Sequence, residues 1–472
     1  MQYKRLLKSV SVIFILAVLL AAAGCDKAPP MVQLHGQVLD MANDLPIEGA
    51  RVQAVDINGA PVGNTAATDA QGNYELTVPH QWNPDGDQEK ETEESELEYG
   101  VYMLHCQAMG YQAFPSSIRP SLPIDMETAV KAAPGEETLF AKLTIDETTT
   151  ILTTIKLIAL GGASDQLGII SGHIALPKDS DDYAGVLVVA VNEGNQVAYT
   201  GLSGLDGDYA VFNVPAGTYR VEAYTQGLQF KPETGVVLEA GEEHANVDLS
   251  QSDRPLNSVG GSVQIVNAPG GSVTSVILAL ESTFDEIAVR GTMPPGLRAG
   301  DVTGAFLIED IPDGRYVVLA AYENDGLVRD PDESISGTDI VHIEVPGAGG
   351  ANDVEITDGF KITEALAIVQ PGASGTEAVS SLTPVLEWAD DSSEEGYEIQ
   401  VLDSFGTRVW ETEVDGVSGS ETVSLVYAGP ALDESMYYQF RVVSFRDGKH
   451  GRSYISATED LKGVFYFGTT EQ

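Results

Sequence analysis

A strand-and-turn pattern that recurs three times places the strongest constraint on how this sequence folds. The copies read TDAQGNYEL at 68–76, SGLDGDYAVFNVPAGTYRV at 203–221 and VTGAFLIEDIPDGRYVV at 302–318. In each copy a glycine turn leads into a strand whose aromatic and aliphatic residues alternate toward one face. In the last two copies a Pro-x-Gly turn follows, which we expect to reverse the chain into the next strand. The pattern predicts one hairpin used in three related β-sandwiches.

The rest of the chain is also typical of β-sandwiches. Short alternating runs of Val, Ile, Thr and Tyr are punctuated by Gly and Pro every 8 to 12 residues or so. We therefore expect an all-β protein of tandem β-sandwich domains. The exception is IDETTTILTTIKLIAL at 145–160, which fits either a capped helix or a threonine-rich strand.

The first 25 residues have the three-part layout of a secretory signal. A basic start is followed by an apolar run at 10–20 and by small residues that lead to Cys25. The apolar run is too short to span a hydrocarbon core, which needs about 20 residues. A small-residue run that ends in Gly-Cys resembles the lipobox of bacterial lipoproteins, although Ala22 stands where that family usually has Leu. The resemblance implies a signal peptide at 1–24, a lipidated Cys25 and a linker at 25–31.

These features predict a protein of the bacterial cell envelope that is held to a membrane by its lipid anchor. Asp26 follows the cysteine, a residue that favours the inner membrane in enteric bacteria, and the choice between inner and outer membrane stays open. The chain has 25 Lys and Arg against 71 Asp and Glu, for a net charge of −46. This charge argues against nucleic acid as a partner and against electrostatic docking on anionic lipid, and it suits divalent cations.

The segment at 34–76 resembles a carboxypeptidase regulatory-like domain. The matching motifs are Gly-x-Val at 36–38, Pro-x-x-Gly-Ala-x-Val at 46–52 and Thr-Asp-x-x-Gly-x-Tyr at 68–74. The resemblance implies a transthyretin-like sandwich, grouped by fold with starch-binding-like modules, that serves as an accessory domain without catalytic residues. We assign this domain to 32–160, with an acidic insert at 85–98, and related sandwiches to 168–250 and 259–357.

The C-terminal segment at 362–470 differs and resembles a fibronectin type III domain, which has an immunoglobulin-like fold. The resemblance rests on Trp388 on an early strand and on a Leu-x5-Tyr-x-Phe-x-Val run that begins at Leu432. It implies that Trp388 lies in the core and that Tyr438 is the corner tyrosine of the fold. Trp410 fits either a packed strand position or an exposed platform for a sugar, and it is the one candidate ligand-binding residue.

Catalytic motifs are absent from the sequence. None of the seven histidines has Glu three residues on, and no two lie at metal-ligand spacing. The sequence also lacks a nucleophile elbow, a phosphate-binding loop and a Cys/His pair. Cys106 alternates with Tyr102 and Leu104, as expected for a buried strand cysteine. We therefore predict a protein that is not an enzyme and has no catalytic residues.

One acidic loop, YENDGLVRDPDES at 322–334, is a candidate calcium site. Its candidate ligands are carboxylates, which hard cations prefer, and Gly326 follows them as the glycine of a calcium-binding loop does. These residues are Glu323, Asp325, Asp330, Asp332 and Glu333. The loop departs from the EF-hand pattern because Ala321 would take the first position and Arg329 lies in the middle. A solvated acidic turn is the alternative, and the sequence indicates no other cofactor.

Together these features predict four β-sandwich domains strung outward from a membrane anchor. The expected role is that of a non-enzymatic structural, adhesive or binding module of the envelope. Two alternatives stay open, a carbohydrate-binding surface protein and an accessory subunit of an envelope complex. The corresponding partners would be a glycan or an envelope protein.

Overall fold

The regular secondary structure of the described residues is almost entirely β-strand. The computed structural model describes residues 31–82, 98–116, 118–121, 123–131, 139–141, 144–145, 148–149, 154–162, 164–175, 185–268, 271–320, 326–347, 349–357, 359–391, 393–417, 421–449 and 451–468. Within these ranges the only helices are single 3-10 turns, at Met126–Thr128, Ser164–Gln166 and Glu281–Thr283. The prediction of an all-β chain of tandem sandwiches is confirmed.

The first domain is a sandwich of two larger sheets, and its first strand takes part in one of them. Its strands are β1 (Met31–Asp40), β2 (Arg51–Val55), β3 (Pro61–Ala67), β4 (Asn73–Pro79), β5 (Gln81–Trp82), β6 (Glu98–Tyr99), β7 (Val101–Gln107), β8 (Ile124–Asp125), β9 (Ala129–Lys131), β10 (Leu139–Ala141), β11 (Thr144–Ile145), β12 (Thr148–Thr149) and β13 (Ile155–Leu157). One sheet has the order β13-β1-β10-β9 with β4 beside β1, and the other has the order β3-β2-β7-β8. Leu34, Leu76, Leu104 and Cys106 are buried between them.

Most of the described residues of the segment at 145–160 are strand, at 145, 148–149 and 155–157. Cys106 is buried and free, so the prediction of a buried strand cysteine is confirmed.

The second domain is a smaller sandwich. Its strands are β14 (Gly168–His173), β15 (Leu187–Asn192), β16 (Ala198–Leu202), β17 (Asp208–Val214), β18 (Gly217–Tyr224), β19 (Glu233–Leu238) and β20 (Glu243–His244). The sheet β17-β14-β20 faces the sheet β16-β15-β18-β19. Alternate residues of β17 and β18 fill the space between them, including Tyr209, Val211 and Tyr219.

The third domain has the same plan. Its strands are β21 (Asn257–Val266), β22 (Thr274–Leu280), β23 (Arg298–Val302), β24 (Ala305–Ile311), β25 (Gly314–Ala320), β26 (Leu327–Arg329), β27 (Val341–Val345), β28 (Asp353–Glu355) and β29 (Phe360–Glu364). The sheet β24-β21-β29-β26, with β28 beside β21, faces the sheet β23-β22-β25-β27. Because β29 pairs with β21, this sheet continues beyond residue 357, the end expected from the sequence.

The fourth domain is a sandwich of one small and one large sheet. Its strands are β30 (Ile368–Gln370), β31 (Glu377–Val379), β32 (Val385–Ala389), β33 (Gly396–Asp403), β34 (Arg408–Asp415), β35 (Thr422–Val426), β36 (Tyr437–Gly448), β37 (Gly451–Ala457) and β38 (Val464–Phe467). The sheet β30-β32-β35 faces the sheet β31-β38-β36-β33-β34, in which β37 also pairs with β36. Trp388 is fully buried, and the hydroxyl oxygen of Tyr438 accepts the N–H of Asp433 at 2.7 Å. These two core assignments are confirmed.

At the recurring strand-and-turn pattern the chain crosses from one sheet to the other, so the prediction of a hairpin is wrong. β17 pairs with β14 whereas β18 pairs with β15, and in the third domain β24 pairs with β21 whereas β25 pairs with β22. The Pro-x-Gly turn therefore carries the chain from one face of the sandwich to the other. A tyrosine fixes each crossing, because Tyr219 donates its hydroxyl to the carbonyl of Pro215 at 2.7 Å and Tyr316 donates to Pro312 at 2.9 Å.

The cores of the second and third domains lie on the two faces of one strand. β15 is buried on both faces, with Val188 and Ala190 in the core of the second domain and Leu187 and Val189 in the core of the third. Strands that are covered on both sides read as continuous apolar runs, and LVVAV is such a run. These two domains therefore form one packed unit.

The first domain contacts each of the other three. Gln53 donates to the carbonyl of Ser203 in the second domain at 2.9 Å, and Gly296 of the third domain donates its N–H to Asn58 at 2.9 Å. Gln112 donates to the carbonyl of Ser404 in the fourth domain at 2.6 Å. A chain of domains strung outward would not make the last contact, so the structure corrects that expectation. The fourth domain folds back onto the first.

Candidate functional site

Cys25, the proposed anchor, lies outside the described residues, together with the rest of residues 1–30. The first described strand starts at Met31, six residues after Cys25. Most of the acidic insert at 85–98 is also outside the described residues, and β5 and β6 pair at its two ends. In the described part of the chain, we find no helix whose length and apolar character would let it cross a membrane.

The described part of the acidic loop at 322–334 holds its carboxylates in protein contacts. Glu323 and Asp325 lie outside the described residues. Asp330 is only 6% exposed, and its carboxylate lies 3.2 Å from the ammonium of Lys361. Asp332 is 7% exposed and accepts the hydroxyl of Ser334 at 2.6 Å. Lys361 therefore balances the charge of Asp330, and Asp332 already accepts a hydrogen bond from Ser334.

Gly326 and Arg329 of the same loop face the fourth domain. Gly326 donates its N–H to the carboxylate of Glu459 at 2.7 Å, and Glu459 also lies 2.6 Å from the ammonium of Lys462. Burial lowers the pKa of Arg329, which the carboxylates of Asp460 and Glu333 oppose. Within the described ranges no three His, Cys, Asp or Glu side chains are placed to hold a metal ion. Calcium at this loop stays a prediction, and Glu333 remains one of its candidate ligands.

Trp410 lies on β34 and is partly buried against the core of the fourth domain. Its ring meets that of Tyr427 edge to face, with the centroids 4.8 Å apart. Gly429 packs so closely on the indole that an added Cβ would lie 2.7 Å from its Cγ. A sugar platform needs an open ring face, and these two neighbours occupy part of the ring. The role of Trp410 in ligand binding stays a prediction.

An open cleft of about 290 Å³ lies on the second domain, beside β14 and β17. His173 projects into it with Nδ1 2.8 Å from the carboxylate of Asp208, and the N–H of His173 donates to Asp248 at 3.0 Å. Tyr209 lines the same cleft, where its hydroxyl donates to the carbonyl of Val247. The carboxylate of Asp208 thus orients the imidazole ring of His173 at the surface, where the ring can make a polar contact.

A second open cleft, of about 380 Å³, lies between the third and fourth domains. Glu364, Asp390 and Asp391 line it together with short apolar side chains. The carboxylates of the last two accept the hydroxyls of Tyr397 and Ser444, at 2.9 and 2.8 Å. These contacts fix the loop at the start of the fourth domain.

Basic residues lie at three contacts between domains, and sequence reasoning missed them. Arg51 of the first domain donates to the carbonyl of Asp208 in the second at 3.1 Å. Arg441 of the fourth domain donates to the carbonyl of Ala288 in the third at 2.9 Å. Arg119 of the first domain stacks on the ring of Tyr437 in the fourth, with its central carbon 3.8 Å from the ring centroid. The scarcity of Lys and Arg in so acidic a chain was the signal that could have marked these residues.

No family model and no curated protein matches this chain. Among solved structures, it is similar to the shaft pilin SpaA from Lactobacillus rhamnosus GG, at 10% identity and a TM-score of 0.18 over 48% of this chain and 98% of that one. It is also similar to BcpA, the major pilin subunit of Bacillus cereus, at 12% identity and a TM-score of 0.15 over 70% of this chain and 99% of that one. The Bacillus anthracis TIE protein matches at 10% identity and a TM-score of 0.15, over 95% and 75% of the two chains. Similarities this weak assign neither a family nor a function.

Proposed function

We propose that this protein is a lipid-anchored protein of the bacterial cell envelope with a non-enzymatic structural, adhesive or binding role. The observation that carries the proposal is the position of Cys25, which ends a signal-like segment six residues before β1. A lipid on Cys25 would hold the first domain within about 20 Å of the bilayer, since each extended residue spans at most 3.6 Å. Stable anchoring needs more than one acyl chain.

The rest of the proposal is supported by how the domains use their polar groups. Asp330 and Asp332 of the acidic loop are engaged by donors of the same chain. The arginines between domains bind backbone carbonyls and an aromatic ring. Groups used in this way hold a packed assembly together. Adhesive and structural roles need only such a rigid assembly and an exposed surface.

Metabolic labelling with a clickable palmitate analogue tests the anchor. We expect the wild-type chain to carry the label and to fractionate with membranes, and Cys25→Ser to lose both properties. Cys106→Ser is the matched control and should keep both, because Cys106 is buried inside the first domain. Label that persists in Cys25→Ser would contradict the proposal. Solubilisation of the labelled membranes, followed by mass spectrometry of what copurifies, then separates a subunit of a complex from a free surface protein.

A further inference from the structure

The first and fourth domains are in contact although both are strongly negative. Residues 32–160 contain 20 Asp and Glu against 6 Lys and Arg, and residues 365–470 contain 17 against 6. The net charges are therefore −14 and −11. Two domains that both carry a large negative charge repel each other, over a distance that the salt concentration sets. The contact between them has to overcome that repulsion.

The contact is centred on Arg119, whose guanidinium lies between two aromatic rings. Its central carbon is 3.8 Å from the ring centroid of Tyr437 in the fourth domain and 4.9 Å from that of Phe114 in the first. The side chain is only 5% exposed, and its Nη1 has no hydrogen-bond partner among the described residues. The cation is thus held by π-faces, an interaction that strengthens when water is excluded.

Polar and apolar contacts surround Arg119. Gln112 donates to the carbonyl of Ser404, and the hydroxyls of Ser116 and Ser404 lie 3.4 Å apart. Beside them Met41 and Ile158 of the first domain and Tyr437 of the fourth form a small buried cluster. These interactions join neutral groups, or a cation to a ring, so none of them is a pair of opposite formal charges.

The attraction and the repulsion therefore respond differently to salt. The contacts around Arg119 are buried and act within about 5 Å, so ions in solution screen them little. The repulsion acts between whole domains, where the screening length falls from about 30 Å at 0.01 M salt to about 8 Å at 0.15 M. Salt weakens the repulsion and leaves the attraction almost unchanged.

We propose that the contact between the first and fourth domains is a salt-dependent latch, closed at moderate ionic strength and released when ionic strength falls. On release the fourth domain stays attached to the third through Arg441 and through Ser456, which donates to the carbonyl of Glu364 at 2.7 Å. Opening exposes the cluster of Met41, Ile158 and Tyr437 and brings Arg119 into water. The protein then presents an apolar surface that the closed form hides.

Disulfide trapping tests the latch in the chain from Asp26 to Gln472, which includes every described residue. Ser116→Cys and Ser404→Cys place two sulfurs near the 3.4 Å separation of the hydroxyls, close enough to bond after a small rotation. The matched control is Val385→Cys with Val426→Cys, two exposed neighbours within the fourth domain. The native Cys106 does not compete, because burial raises the pKa of its thiol to about 12.

We expect the interdomain pair to crosslink about tenfold faster in 0.5 M salt than in 0.01 M salt, relative to the control pair. Equal relative rates would overturn the salt dependence, and no crosslink at either salt concentration would overturn the contact itself.

Small-angle scattering of chains without added cysteines gives an independent measurement. The radius of gyration should increase at low salt in the wild-type chain. Arg119→Ala should show the larger value at both salt concentrations. Arg408→Ala removes the same charge from an exposed ion pair with Glu411 and should behave like the wild type. A compact Arg119→Ala chain at low salt would also overturn the proposal.

Discussion

The tyrosine that fixes the sheet crossing in the third domain should contribute more to stability than its counterpart in the second. Tyr316→Phe removes a hydroxyl that is fully buried and donates to the carbonyl of Pro312 at 2.9 Å. Pro312 is itself buried, so water does not replace the lost donor. A net hydrogen bond contributes about 1 kcal/mol, and an acceptor left unsatisfied adds to the loss, so we expect a cost of about 2 kcal/mol.

Tyr219→Phe is the matched variant, because Tyr219 makes the same contact to Pro215 at 2.7 Å. Pro215 is half-buried, so water can satisfy its carbonyl and the cost should be only about 0.5–1 kcal/mol. Since the two domains pack on opposite faces of β15, calorimetry should show one transition, lowered by roughly 4–8 °C in Tyr316→Phe and by less in Tyr219→Phe. Equal shifts, or a larger shift in Tyr219→Phe, would refute the argument from burial of the carbonyl.

Three further predictions concern other parts of the molecule. Val189→Ala should cost about 2 kcal/mol and lower the melting temperature of the second and third domains together. Two separated transitions would show that packing on the two faces of β15 does not couple them. Burial lowers the pKa of His105 to about 4, so the neutral ring stabilises the fold above pH 6.5 and the contribution falls as the pH drops toward 4. His105→Gln should flatten the plot of melting temperature against pH between pH 6.5 and 4. An unchanged slope would refute the role of His105 in that pH dependence. Isothermal titration with calcium should release heat that Asp332→Asn reduces, and the calcium site is disproved if neither heat nor melting temperature changes.

Local features of the fold could be predicted from the sequence. The alternating runs correctly indicated strands, and the positions of Trp388, Tyr438 and Cys106 in those runs indicated that they are buried. Alternation reports which face of a strand is covered, and this information is contained in a few neighbouring residues.

Strand partners could not be predicted in the same way. The Gly-x-Tyr and Pro-x-Gly turns mark where the chain changes direction, and a hairpin and a crossing between sheets both need such a turn. What distinguishes them is which strand lies beside β17 or β24, and those partners, β14 and β21, lie some 40 residues earlier in the chain. The continuous apolar run of β15 was the available sign that one sandwich packs against another.

The candidate site was the least predictable part. The acidic loop at 322–334 attracted a metal hypothesis because carboxylates are its commonest residues. The cation beside Asp330 is Lys361, which lies 31 residues further along the chain. Glu459, which accepts the N–H of Gly326, lies 133 residues beyond that glycine. Only the tertiary structure brings these partners to the loop, and it also brings Arg119 onto the ring of Tyr437.

The pairing of terminal strands gives the first three domains a particular response to tension. β1 runs parallel to β13, β14 to β20, and β21 to both β28 and β29. In each case the entering and leaving strands are neighbours that point the same way, so the two chain ends leave from opposite ends of the ladder. A pull along the chain loads those hydrogen bonds in shear, all at once, and does not peel them one by one. A tether fixed ahead of β1 would therefore transmit force through the domains before any of them unravels.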